Sequence, residues 1–67
     1  MKISYDEEAD ALYIKLKEGE VVKTKEVDKN TMLDYDRQGN LLGIELLFIK
    51  ERMPQVLKKV QVENITV

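Results

Sequence analysis

The chain has no cysteine, no histidine and no tryptophan. Without cysteine no disulfide can staple a small core, and with histidine also missing the commonest zinc ligands are gone. The same two absences remove the usual nucleophile and base of covalent catalysis, and the single serine, Ser4, falls in a strand-like stretch. We therefore expect no enzyme, no catalytic residue, no cofactor and no metal. No apolar run approaches the ~20 residues of a membrane span. The opening MKISYDEEAD lacks the apolar core of a secretory signal, so the expectation is a cytoplasmic protein with no membrane partner. Charge of one sign is lacking too. Eleven basic and thirteen acidic residues leave a formal charge of −2, whereas a general nucleic-acid binder usually shows a domain pI above about 9. No nucleic-acid partner is expected.

With 67 residues there is room for one domain, residues 1–67. A chain of this size buries only about 60% of its unfolded surface, so something must supplement the core. Disulfides and zinc being excluded, idealised packing or self-association remains.

Period two dominates the first fifty residues: Leu12, Ile14 and Leu16 alternate with Tyr13, Lys15 and Lys17, and Leu42, Ile44, Leu46 and Phe48 alternate with Gly43, Glu45, Leu47 and Ile49. Short polar clusters separate these runs at Asp6 to Asp10, Glu18 to Glu20, Asp28 to Asn30 and Asp36 to Asn40. Loops of that length join antiparallel neighbours. The spacing predicts an α+β domain: a five-stranded antiparallel meander over roughly 1–5, 11–17, 21–28, 31–36 and 41–49, then a tail over 50–67. In the tail Met53, Val56, Leu57 and Val60 fall at helical spacing, with Pro54 in the first turn, so a short helix must dock on the sheet or on another chain. The last stretch, VQVENITV, is left as a sixth strand or an unstructured end.

The chain repeats itself. YDEEADALYIKL at Tyr5 to Leu16 returns thirty positions later as YDRQGNLLGIELL at Tyr35 to Leu47, aligning Leu12 with Leu42, Ile14 with Ile44 and Leu16 with Leu46. Each copy reads as a hairpin in which an aromatic closes one strand and an Asp opens the turn. Gly39 suits a left-handed position in the second turn. In the first, Ala9 would resist it by ~1–2 kcal/mol, which shifts the expectation to Asp10.

Ile3, Tyr5, Leu12, Ile14, Leu16, Leu33, Tyr35, Leu42, Ile44, Leu46 and Phe48 make one apolar face. On the other, Ala11, Tyr13, Val27, Met32, Leu41, Leu47 and Ile49 interrupt the charges, more apolar surface than a lone sheet should leave wet. Ala11, Tyr13, Leu41, Leu47 and Ile49, with Met53 and Leu57 of the tail, are the candidate interface. A homodimer is the favoured partnership, and a small partner protein the other.

Within DYDRQGNLLGIE, Asp34, Asp36, Gly39 and Glu45 fall at positions 1, 3, 6 and 12 of an EF-hand calcium loop, with Gln38 as the departure. That loop belongs between helices, however, and here the flanks read as strands. The first copy offers Lys15 where calcium needs a bidentate carboxylate. Turn chemistry is favoured, and binding of a metal or small ligand at Asp34, Asp36, Gln38 and Glu45, or at the Asp6 to Asp10 turn, is kept as the alternative. Lys50, Arg52, Lys58 and Lys59 read as a solvated helix face, and Lys23, Lys25 and Glu26 as exposed sheet residues.

The two Tyr-Asp hairpins, with Glu26 to Asp28 between them, resemble the small prokaryotic family DUF2283 over about residues 1–50. Members of that family often carry proline where this chain has Glu7, so this first turn is less rigid. The resemblance implies a small cytoplasmic protein with no known activity and no catalytic residues to transfer. Genes of that family can lie beside genes for small toxin-like proteins, so the resemblance also implies an antitoxin-like or accessory binding role.

Overall fold

The computed structural model describes residues 1–63. Five antiparallel strands form one sheet: β1 (Lys2–Asp6), β2 (Ala11–Lys15), β3 (Lys23–Asp28), β4 (Thr31–Tyr35) and β5 (Leu41–Leu47). Two helices follow, α1 (Ile49–Arg52) and α2 (Pro54–Glu63). Among the described residues no helix is long and apolar enough to cross a membrane.

The strand order is β1-β2-β5-β4-β3, meander-like with one long step. Sequential neighbours pair in two hairpin runs, and the connection from β2 to β3 passes both β5 and β4. Three strand spacings of ~4.8 Å come to about 14 Å, within reach of the seven residues 16–22 at ~3.3 Å each. Gly19 lies in that crossing where Leu42 closes over it, and a Cβ there would meet Leu42 Cδ2 at 2.9 Å.

The sequence repeat has a geometric meaning. In the β2–β5 pair, Ile14 stands opposite Ile44, its own counterpart, and Leu12 stands opposite Leu46. The Leu16 N–H donates to the Leu42 carbonyl at 2.8 Å, which completes the reciprocal exchange. A local two-fold axis therefore crosses the sheet through the Ile14–Ile44 pair, relating hairpin β1–β2 to hairpin β4–β5. The left-handed turn residues are Asp10 (φ 53°) and Gly39 (φ 88°), as the steric argument required.

The helices cover only part of one face. Ile3, Leu12 and Ile49 form the buried cluster, with Tyr5, Ile14, Leu46, Met53, Val56 and Leu57 packed against it. Pro54 opens α2, where its missing N–H costs no hydrogen bond. Helix α2 already includes residues 60–63, so a sixth strand does not start there. The remainder of that expectation, residues 64–67, and the packing of Val60 lie outside the described residues and side chains.

The end of β5 is where pattern and structure part. Phe48 is left-handed (φ 57°, ψ 47°), the chain reverses, and Ile49 opens α1 with no exposed surface. Ile49, expected at the end of a strand on the second face, is therefore in the core. Phe48, expected in the core, is 48% exposed. Ile49→Ala is expected to cost about 2–5 kcal/mol in urea unfolding, a large share of the stability of so small a domain. A loss under about 0.5 kcal/mol would show that the helices are not held by this residue.

Candidate functional site

Two polar constellations stand out from the fold, one that docks the helices and one on the uncovered face. The first centres on Asp10. Its carbonyl accepts the Ile49 N–H at 3.4 Å, and its carboxylate accepts the Lys50 N–H at 3.0 and 3.2 Å and the Tyr5 hydroxyl at 2.6 Å. Asp10 thus supplies from forty residues away the cap that Phe48 lacks, since the N-terminal N–H groups of α1 have no partner within the helix. At the same corner the Arg52 guanidinium forks onto the Leu47 carbonyl, with Nε at 3.0 Å and an η-nitrogen at 2.7 Å.

The acidic turns are occupied by their own backbone. Asp6 Oδ1 accepts from the N–H groups of Glu8 and Ala9 at 3.0 and 3.2 Å. Asp36 accepts from the N–H groups of Gln38 and Asn40 at 2.9 and 2.8 Å and from the Asn40 amide at 3.0 Å. Asp34, by contrast, sits on β4 and Glu45 on β5, opposite Met32 and Tyr13, so the EF-hand spacing is spread along a hairpin instead of wrapped around a point. Among the described residues no three acidic, histidine or cysteine side chains gather as a metal group.

The second constellation lies on the face away from the helices. The Tyr13 ring crosses Gly43, and its hydroxyl donates to Asp34 Oδ2 at 3.0 Å while the Thr24 hydroxyl donates to Asp34 Oδ1 at 2.7 Å. A side chain at position 43 would fall on the phenol itself, so glycine is required for the ring to lie flat. Lys15 and Asp34 flank Gly43 on either side, and Tyr13, Glu45 and Met32 form the next row across the sheet. The helices pack on the other side of the sheet, while Gly19 and Val21 of the 16–22 connection border the same hollow as Tyr13 and Lys15.

The seven candidate interface residues separate. Tyr13 and Leu47 lie half-buried on the open face. Ala11 is 6% exposed and Ile49 fully buried, both closed off within the single chain. Met53 and Leu57 pack against the core cluster. Leu41 leaves the row, because a bulge near Asp34 and Tyr35 sets it opposite Tyr35 and out of line with Gly43, Glu45 and Leu47. Two members of the open face were not expected there: Asp34, read as turn chemistry or as part of the alternative ligand set, and Gly43, whose place under Tyr13 was foreshadowed only by a lone glycine inside a strand pattern.

Pinning leaves its mark on the titrating groups. The hydrogen bond to Asp10, then partial burial, raises the Tyr5 hydroxyl from 10.0 to about 12. Asp10 is lowered from 3.8, first by the Tyr5 hydrogen bond, Asp28 by the Asn30 N–H, and Asp36 by the Asn40 side chain.

A single sheet built of two symmetry-related hairpins, backed by helices on one face, defines a small α+β domain with an acidic turn in each hairpin. The chain belongs to the family described as Protein of unknown function (DUF2283), whose model matches residues 2–50, both hairpins and the reversal into α1. No curated protein and no solved structure matches the chain.

Two predictions follow from these contacts. Depressed carboxylates contribute stability that is complete above the unfolded value of 3.8 and is lost as pH falls through their lower folded values. Tyr5 contributes below pH 10 and loses that contribution as pH rises toward about 12. Urea midpoints should therefore be flat from pH 5 to 9 as far as these groups are concerned, falling below about 4 and above about 10. Asp10→Asn should shrink the acid limb, and an unchanged limb would discount the pin. Secondly, Gly43→Ala should destabilise by about 1–3 kcal/mol by expelling the Tyr13 ring. The same change made in a Tyr13→Ala background should cost clearly less, and equal costs would mean that the ring and the glycine are not coupled.

Proposed function

We propose that the domain is a protein-interaction module that self-associates through the open face of its sheet, the occupant being a second copy. The observation that carries this is the charge layout of that face. Lys2 and Lys15, the latter also paired with the exposed Glu18 at 3.0 Å, lie on β1 and β2 at one flank, Asp34 and Glu26 on β4 and β3 at the other, and Tyr13, Met32 and Leu47 between them. A two-fold axis parallel to the strands lays β1 and β2 of one copy over β4 and β3 of the other, so each lysine flank meets an acidic flank.

Size supports the same reading. The Cα envelope measures 35 × 27 × 16 Å, so its broad face is of the order of the ~800 Å² per partner that a standard interface buries. The chain needs such support, because its buried apolar residues are only Ile3, Ala11, Leu12, Leu42 and Ile49 among the described residues.

Light scattering over a concentration range tests the proposal. The expected mass is twice the 7.8 kDa of the chain, falling to the single-chain value in Leu47→Asp while circular dichroism stays unchanged. Glu45 sits on central β5, where the axis brings it near its own copy, so Glu45→Gln should tighten the dimer. A single-chain mass up to about 1 mM, or a folded Leu47→Asp that remains dimeric, would overturn the proposal.

A further inference from the structure

We infer that the β3–β4 end of the helix-bearing face is a binding site for a small phosphorylated ligand with a planar ring, of the nucleoside monophosphate class. The register sets Lys23 opposite Tyr35 and Lys25 opposite Leu33, so both lysine stems rise on the side of the sheet that carries Tyr35. The Asp36 to Asn40 turn then brings Arg37 alongside. Lys23, Lys25, Tyr35, Arg37 and Gln38 line one open cavity of about 510 Å³, within the range of ~300–1,000 Å³ typical of small-ligand sites.

The charge balance at this corner is inverted relative to the chain as a whole, whose formal charge is −2. None of Lys23, Lys25 and Arg37 forms a salt bridge among the described residues, where the ion pair is Lys15 with Glu18. The carboxylate in the lining, Asp36, is engaged by three hydrogen bonds within its own turn and is held in place there. Glu20 is the remaining competitor, lining the adjoining hollow with Arg37. A guanidinium beside two ammonium groups suits a phosphomonoester dianion, with the Arg37 fork taking two oxygens and the lysines acting as point charges. Tyr35, whose hydroxyl makes no hydrogen bond among the described residues, offers a ring against which a base can stack. Three cations around one hollow match the charge of a single phosphomonoester, which favours a mononucleotide over a polymer.

This site lies on the opposite side of the sheet from the proposed dimer face and stands independently of it. Its test is titration of the isotopically labelled full chain with adenosine monophosphate, inorganic phosphate and a short oligoadenylate, followed by amide and side-chain chemical shifts. The expected result is a saturable shift confined to Lys23, Lys25, Tyr35, Arg37 and Gly39. Arg37→Ala, an exposed turn position, should weaken binding about tenfold or more. Tyr35→Leu should weaken the nucleotide more than inorganic phosphate, and Glu20→Gln should tighten both. No saturation at about 10 mM nucleotide, or an Arg37→Ala protein that binds as before, would overturn the inference. Oligoadenylate binding much more tightly than the mononucleotide would replace it with a single-strand site.

Discussion

The fold turns on how the chain leaves β5. A strand that continued past Leu47 would carry Ile49 along the second face, away from the cluster it completes. Instead the backbone goes left-handed at Phe48, a conformation that costs a non-glycine residue ~1–2 kcal/mol. Two terms offset it: full burial of Ile49 and the hydrogen bonds that Asp10 accepts from Ile49 and Lys50. Asp10 can reach because it too is left-handed, and Tyr5 holds its carboxylate from the neighbouring strand. Strain at one reversal is thus matched by a second reversal in the first hairpin.

The internal two-fold makes this choice asymmetric. Equivalent hairpins present equivalent rows, yet only the β1–β2 half receives the helices: β5 ends beside the first turn, where the Asp10 carboxylate accepts the Lys50 N–H. In the second turn the equivalent residue is Asn40, which donates its amide to Asp36 and closes the turn on itself. One half of the sheet thereby becomes core, while the β3–β4 half keeps Tyr35 and its lysines accessible. Acid at Asp10 and amide at Asn40 thus mark the structural and the open end of the sheet.

The open face follows a different logic. With helices on one side only, an antiparallel sheet normally alternates apolar and polar residues, and here the polar side is relieved by Tyr13 lying across Gly43 and anchored on Asp34. That arrangement satisfies the phenol and fixes the ring while leaving most of the row uncovered.

Much of this was legible in the sequence. Alternation over Leu12 to Leu16 and Leu42 to Leu46 specified strands, the Asp-led clusters specified turns, and the steric cost at Ala9 located the left-handed residue at Asp10, because all of these are decided by neighbours along the chain. The spacing of Met53, Val56 and Leu57 around Pro54 announced the docked helix for the same reason. What the sequence could not determine was anything set by partners far along the chain: the passage of residues 16–22 beyond two strands, the bulge that moves Leu41, the burial of Ile49, and the meeting of Tyr13, Gly43 and Asp34. Local pattern determines which way a residue faces within its strand. Only tertiary packing decided which reversals the chain could sustain, because what holds Phe48 and Ile49 in place, the burial of Ile49 against Ile3 and Leu12 and the hydrogen bonds to Asp10, comes from residues far earlier in the chain.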